Sequence, residues 1–219
     1  PLDFYECRHG MSYTRITGAK DGIQASILFF VPLHTWAEVQ KVTLANTTGQ
    51  IKRIKLYSFA EWCLWNAATD MENFQRNFST GEVEVDGSTI YHKTEYKERR
   101  NHYAFYSVNT PIQGFDTDRE TFIGLYNEFR DPQNVLKGKP SNSIAHGWSP
   151  IASHYIEVEL QAGESKDFIF LLGYVENEQE EKFSQATEGL LHSGSSPIIN
   201  KEKAQTMMAA FDSTEKVDA

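Results

Sequence analysis

Cysteine is scarce in this 219-residue sequence, which has only Cys7 and Cys63 and no CxxC pair. Two cysteines cannot form a disulfide framework, so the composition indicates a reduced, cytoplasmic location. Long hydrophobic runs are also missing, because no apolar stretch approaches the length of a membrane span. The first residues lack the basic head and apolar core of a signal peptide, and without an initiator methionine we expect an excised piece of a longer protein.

Positive charge is in deficit, with 21 basic against 30 acidic residues and a net charge of −9. A negative field of this kind repels phosphate backbones and anionic lipid headgroups. We therefore expect neither nucleic acid nor a membrane surface as a partner of this chain.

Local signatures of catalysis and of cofactor binding are missing as well. The sequence has no GxSxG elbow, no P-loop and no GxGxxG run, and its seven histidines form no HxH or HxxxH pair. We therefore expect no metal site and no bound cofactor. The acidic row Glu82, Glu84 and Asp86 has period 2, which puts the three carboxylates on one strand face, and a solvated strand face is the simpler interpretation.

The sequence does contain many short runs of β-forming residues separated by turn signals. Turns at residues 20–22, 86–88 and 162–164 each contain glycine and predict three hairpins, the last of which joins strands at 155–160 and 166–175. So many strands in one chain predict a mainly β protein, a large antiparallel β-sandwich rather than one of immunoglobulin size.

Two helices are predicted among the strands. Residues 118–121 open a short helix followed by a stripe at helical spacing, which predicts core packing for Phe122, Leu125, Tyr126 and Phe129. Residues 200–211 form a second helix, capped by Asn200, with the apolar stripe Ala204, Met207, Met208 and Phe211. No strand pattern accounts for a surface that covers this second stripe, so we expect the helix to lead into further structure.

The most unusual stretch is residues 62–77, which combine two tryptophans and three asparagines with Gln75 and Arg76. Amides and a guanidinium group bind hydroxyl and oxyanion groups, and aromatic rings cover the apolar faces of sugars. This composition indicates a site for a neutral polyhydroxy ligand. It equally fits an aromatic-anchored loop whose amides bind its own backbone, and composition alone does not separate the two interpretations.

Several longer segments carry a resemblance to a known family. They are CRHG at 7–10, NFQRNFSTGEVEV at 73–85, YHKTEYKERRNHYAFY at 91–106, GWSPI at 147–151 and LGYVEN at 172–177. Together these segments resemble the N-terminal domain of the cellobiose phosphorylases in glycoside hydrolase family 94. The resemblance runs from about residue 4 to residue 183 and resumes at residue 199, so it covers most of the chain.

The resemblance implies a domain organisation. An N-terminally incomplete β-sandwich of the supersandwich, galactose-mutarotase-like type is expected at 1–183, and a linker at 184–198. Residues 199–219 then begin a helical segment that leads to an (α/α)6 catalytic barrel, which this chain does not contain. The sandwich is expected to contribute to a homodimer.

The resemblance also implies a reaction. Family members are inverting phosphorylases, in which inorganic phosphate is a substrate that attacks cellobiose to give α-D-glucose 1-phosphate and glucose, with no metal or cofactor. Their general acid and phosphate-binding residues lie in the barrel, so no catalytic residue is expected here. The acceptor-sugar side of the active site matches Gln75 and Arg76, with Asn66, Asn73 and Phe78 near its entrance.

Alternatives remain open at this point. The same family includes cellodextrin, laminaribiose and chitobiose phosphorylases, so the substrate is less certain than the reaction class. A stand-alone carbohydrate-binding module or a structural dimerisation module is a different class of interpretation. The uncovered stripe of the second helix argues against a stand-alone module.

Overall fold

The computed structural model describes residues 1–62, 80–95, 102–147, 149–177 and 200–218. The described residues form two antiparallel sheets, so the predicted mainly β sandwich is confirmed. The strands are β1 (Phe4–His9), β2 (Tyr13–Lys20), β3 (Ile23–Phe30), β4 (Ala37–Asn46), β5 (Lys52–Tyr57), β6 (Ala60–Glu61), β7 (Thr80–Asp86), β8 (Thr89–Glu95), β9 (His102–Val108), β10 (Gly114–Asp118), β11 (His146–Gly147), β12 (Pro150–Leu160) and β13 (Ser165–Glu176).

The two sheets differ greatly in width. The large sheet has nine strands in the order β1-β2-β3-β4-β13-β9-β8-β7-β11. The small sheet has the order β10-β12-β5, and β6 also pairs with β12. The inner core lies where the small sheet covers the large one, and its buried residues include Val42, Leu44, Tyr106, Ile156, Leu160 and Phe170.

The central strands of the large sheet carry apolar residues on both faces. On β4, Val42 and Leu44 point into the inner core, whereas Val39 belongs to a second buried cluster on the outer face. β9 and β13 repeat this arrangement, since Phe105 is in the outer cluster and Phe170 in the inner one. Because side chains alternate between faces along a strand, such strands need a covering layer on each side.

The described helices are α1 (Arg119–Ile123), α2 (Gln133–Lys137), α3 (Glu202–Ala210) and α4 (Thr214–Asp218). Of these, α3 and α4 form the outer layer against the large sheet. Ala204 of α3 is fully buried in the outer cluster, and Met207, Met208 and Phe211 pack against it. The expectation that the sandwich leaves this stripe uncovered is therefore wrong, because the outer face of the large sheet covers it.

The start of α3 also differs from the prediction. The capping position is Lys201, and no side chain caps the helix there. Asn200 lies one residue earlier, where its Oδ1 accepts a hydrogen bond from the backbone N–H of Glu202 at 3.3 Å. The side-chain contact of Asn200 with the first turn is therefore real, although the residue does not occupy the cap.

Two of the three predicted hairpins are confirmed. β2 pairs with β3 around Asp21 and Gly22, whose φ values of 52° and 77° suit the turn that Asp-Gly favours, and β7 pairs with β8 around residues 87–88. The third hairpin is wrong, because β12 pairs with β5 and β10 whereas β13 pairs with β4 and β9. The turn at 162–164 instead carries the chain from the small sheet to the large one.

The predicted stripe after residue 121 is correct only at its start. A short helix begins here as predicted, capped by Asp118, whose carboxylate accepts the Thr121 N–H at 2.7 Å, and Phe122 is buried. The helix ends at Gly124, where φ is 97°. Because the helical spacing stops there, the remaining members of the stripe are exposed and do not pack in the core: Leu125, Tyr126 and Phe129.

A buried carboxylate fixes the long connection between β10 and β11. Asp116, only 1% exposed, accepts hydrogen bonds from Asn134 Nδ2 at 2.8 Å, from the Ser141 backbone N–H at 3.1 Å and from Ser143 Oγ at 2.8 Å. Because buried polar groups are costly when unpaired, this group ties α2 and the following loop to the small sheet.

We expect Asp116→Ala to destabilise the chain by about 2–4 kcal/mol, since it leaves several buried donors without an acceptor. Urea denaturation followed by circular dichroism measures this change. Glu120→Ala, at an exposed position of α1, is the matched control and should change stability by less than about 1 kcal/mol. Equal stabilities of the two variants would contradict the role given to Asp116.

Candidate functional site

Strand register brings many strand ends together at one end of the sandwich, called here the loop end. Thr80 of β7 pairs with Glu95 of β8, and Glu176 of β13 pairs with His102 of β9. Gly147 of β11 pairs with residue 81, and the N–H of Trp62 donates to the carbonyl of Pro150 at 3.4 Å. The described residues that flank segments 63–79 and 96–101 therefore lie at the same end of the fold.

The predicted site residues are not among the described residues. Gln75, Arg76, Asn73, Asn66 and Phe78 all fall within 63–79, and their placement stays a prediction. The structure does place the residues that flank this segment, because Trp62 and Thr80 both lie at the loop end.

Trp62 fixes the beginning of that segment. Its indole is buried and stacks on the ring of His92, with the ring centroids 5.4 Å apart and the planes 7° from parallel. Because Trp62 belongs to the inner core, the chain leaves β6 from a fixed position. The sequence had placed this tryptophan among the ligand-binding aromatics, whereas its burial gives it an anchoring role.

Two buried histidines lie near the inner core, His92 and His154. Burial lowers the pKa of each to about 4, so both rings are neutral at physiological pH. His154 Nδ1 lies 2.8 Å from Ser58 Oγ, and its ring packs against Tyr106 and Phe170. His154 has no access to solvent and Ser58 is only 8% exposed, so the pair fits a structural contact better than nucleophilic catalysis.

The acidic row on β7 is not simply a solvated face, as the sequence suggested. Glu82 pairs with Lys93 at 2.8 Å, and the Lys93 side chain is nearly buried. Glu84 and Asp86 both contact the ammonium of Lys201, which also lies 4.6 Å above the ring of Tyr91. These carboxylates therefore hold the start of α3 against the sheet, a contact that no local sequence pattern reveals.

A stacked aromatic pair, of an exposed Trp36 and a half-buried Tyr174, also lies at the loop end. Trp36, in the connection between β3 and β4, stacks on Tyr174 of β13 with centroids 6.2 Å apart and an interplanar angle of 17°. No sequence motif predicts this pair, because a single tryptophan in a short connection has no periodic pattern. Its one sequence signal is a large aromatic residue in a turn where polar residues are usual.

A cavity of about 590 Å³ lies between β2, β3 and β5, beyond the edge of the small sheet. Its lining is dominated by apolar side chains such as Ile16, Ile27, Leu56 and Phe170. The described residues contain no cluster of three or more metal-binding side chains, and none of the described helices combines the length and apolarity needed to cross a membrane.

The arrangement of the two sheets defines the fold class of this chain. Two packed antiparallel sheets of unequal width form a large β-sandwich of the supersandwich type. The model of the family described as "Glycosyl hydrolase 94, supersandwich domain" matches residues 1–188. The chain therefore belongs to this family, and the resemblance inferred from the sequence is confirmed.

Curated relatives of the chain are enzymes of sugar metabolism. An N,N'-diacetylchitobiose phosphorylase from Vibrio proteolyticus is 31% identical over 176 residues, which are 77% of this chain and 21% of the relative. A solabiose phosphorylase from Paenibacillus borealis is 31% identical over 144 residues, or 66% of this chain and 19% of the relative. The chain thus spans about a fifth of the length of these curated relatives.

A solved structure supports the fold alone. A bacterial glucoamylase complexed with acarbose superposes with a TM-score of 0.52 over 81% of this chain and 24% of that protein, at 13% sequence identity. At such low identity the likeness concerns the arrangement of strands and carries no argument about activity.

The buried histidines predict a dependence of stability on pH. In the unfolded chain a histidine takes up a proton near pH 6.5, whereas His92 and His154 in the fold do so only near pH 4. Stability should therefore fall as pH drops from 6.5 to 4, by about 1.4 kcal/mol per pH unit for each histidine.

We expect His154→Gln to remove one of these two contributions from the slope, whatever its effect on absolute stability. Urea denaturation at several pH values between 4.5 and 7.5 measures the slope. Gln24→Ala, at an exposed and non-titratable position on β3, should leave the slope unchanged. A His154→Gln slope equal to that of the unaltered chain would contradict the lowered pKa of the His154 ring in the fold.

Proposed function

We propose that the chain is the N-terminal sandwich domain of an inverting disaccharide phosphorylase. The observation that carries this proposal is the family match over residues 1–188, joined to relatives named as phosphorylases. In the proposed reaction, phosphate attacks the anomeric carbon of cellobiose while an acid in the catalytic domain protonates the leaving oxygen. The products are α-D-glucose 1-phosphate and glucose.

Cellobiose is the substrate that we propose first, because the motifs at 73–85 and 91–106 resemble those of cellobiose phosphorylases. Diacetylchitobiose is the main alternative, since two relatives with that activity match most of this chain. The chain also matches a cyclic β-(1,2)-glucan synthase from Rhizobium meliloti at 23% identity, so membership of the family does not by itself fix the reaction.

The proposed role of this domain is to form the acceptor-sugar side of the active site. Gln75 and Arg76 bind hydroxyl groups of the acceptor, and Asn66, Asn73 and Phe78 lie near the entrance. The anchoring of Trp62 supports this role, because the chain enters this segment from a fixed residue of the core, and binding residues are often found on loops that a rigid scaffold positions. In the same proposal the domain contributes to a cytoplasmic homodimer and precedes an (α/α)6 catalytic domain.

A stand-alone carbohydrate-binding or dimerisation module is the second candidate. The structure removes one argument against it, because the apolar stripe of α3 is covered by the sandwich itself. The length of the relatives still favours a domain of a larger enzyme.

The test uses the whole parent protein and the 219-residue chain side by side. Each is incubated with phosphate and, separately, cellobiose, diacetylchitobiose or laminaribiose, and sugar 1-phosphate is measured. We expect phosphate-dependent release from cellobiose by the parent protein and none by the chain alone. Absence of phosphorolysis of every disaccharide by the parent, or release by the pure chain, would overturn the proposal.

Arg76 gives a sharper test in the parent enzyme. A buried partner left unpaired costs about 1–3 kcal/mol, and about 1.4 kcal/mol corresponds to a factor of ten. Arg76→Ala should therefore lower catalytic efficiency by roughly ten- to a few-hundredfold. The loss should fall on the acceptor sugar in the synthetic direction, with little change in the Michaelis constant for glucose 1-phosphate.

The control for this experiment is Arg130→Ala, which removes an exposed arginine elsewhere in the domain. It should leave both Michaelis constants unchanged. If residues 63–79 are only a packed loop, Arg76→Ala will lower the melting temperature and leave the kinetics of the folded enzyme as they were. That result would refute the acceptor-binding role.

A further inference from the structure

We propose that Trp36 and Tyr174 form a stacking subsite for a neutral pyranose ring of an oligosaccharide. Trp36 is 63% exposed even though its ring lies against Tyr174, so much of the indole surface faces solvent. Large aromatic side chains are usually buried in part or whole, and this exposed ring differs from a singly exposed residue because it lies beside a pocket.

The pair is held rigidly before any ligand binds. The backbone N–H of Tyr174 donates to the carbonyl of Trp36 at 2.9 Å, so the two residues are joined through the main chain. The Tyr174 hydroxyl lies 2.5 Å from His102 Nδ1, and the His102 ring stands edge-on to the Tyr174 ring. A surface ordered in advance loses little conformational entropy on binding, which favours affinity for a small ligand.

A pocket of about 290 Å³ lies beside the pair. This volume is near the lower end of ligand pockets, which span roughly 300–1,000 Å³, and so it suits a small ring rather than a peptide. Its lining combines aromatic and apolar surface with an imidazole, a hydroxyl, a carboxylate and an ammonium group: His34, Thr35, Trp36, Tyr174, Val175, Glu176, Lys203 and Met207.

This lining matches the chemistry of a sugar. The C–H face of a pyranose packs on an aromatic ring, and its hydroxyl groups both donate and accept hydrogen bonds, as a mixed polar rim requires. Glu176 and Lys203 carry opposite charges, so the pocket favours neither an anion nor a cation. The chain as a whole has a net charge of −9, which further disfavours an anionic ligand.

The experiment uses the 219-residue chain with nitrogen-15 in its tryptophan indoles. The four tryptophans give four indole N–H resonances, and the one that Trp36→Phe removes belongs to Trp36. Cellotetraose, chitotetraose and the anionic sugar glucuronate are titrated separately. We expect the Trp36 resonance to shift saturably with at least one neutral oligosaccharide and more weakly with glucuronate.

Substitutions at Trp36 then test the stacking itself. Saturation-transfer NMR on the sugar measures the binding of each variant. Trp36→Ala should weaken binding at least about fivefold, whereas Trp36→Phe should stay within about threefold. Tyr126→Ala, which removes an aromatic residue that is 96% exposed, is the matched control and should leave binding unchanged. If Trp36→Ala does not fold, Trp36→Leu replaces it, because leucine fills space without offering an aromatic face.

Three results would overturn the proposal: no saturable shift of the Trp36 resonance, tighter binding of glucuronate than of the neutral sugars, or equal affinities of Trp36→Ala and the unaltered chain. The proposed phosphorylase function guides only the choice of glucose-based probes. Because no turnover is measured, failure here leaves the phosphorolysis proposal intact, and failure of phosphorolysis leaves sugar binding at Trp36 to be judged separately.

Discussion

Burial of the central strands on both faces is the constraint on which the rest of this fold depends. β4, β9 and β13 bury Val39, Phe105 and Leu171 on one side of the large sheet and other apolar residues on the opposite side. A single sheet cannot satisfy such strands, so the small sheet covers the inner face while α3 and α4 cover the outer one. α3, through Ala204, is consequently part of the domain's core, and α4 packs against it through Val217.

Long-range polar contacts set the connections around this layered core. Asn46, at the end of β4, donates through Nδ2 to the carbonyls of Gln50 at 2.6 Å and Gln161 at 2.9 Å, and its N–H bonds to the Glu164 carbonyl. One buried amide thus joins two connections that are more than a hundred residues apart in sequence. Asp116, a buried carboxylate of β10, likewise binds α2 and the loop that follows it.

This difference between local and long-range contacts explains what the sequence could predict. The Asp-Gly turn at Asp21 and the helix start at 118–121 depend on neighbouring residues, and both predictions are correct. The turn at 162–164 has the local sequence of a hairpin turn. The strands that flank it nevertheless pair with β5 and β4, and Asn46 binds the turn, so local sequence alone does not predict its structure. Composition drew attention to residues 62–77 yet missed Trp36, which has no periodic neighbour.

The same layering limits where this domain offers a rigid surface to a ligand. Both faces of the central strands are occupied, one by the small sheet and the other by helices. Ligand contacts from these central strands therefore come from their ends, where side chains leave the sheet but stay close to the core. Trp62 and Trp36 show the two forms this takes at the loop end: Trp62 is buried against His92 and fixes the chain, whereas Trp36 rests on Tyr174 and remains open to solvent.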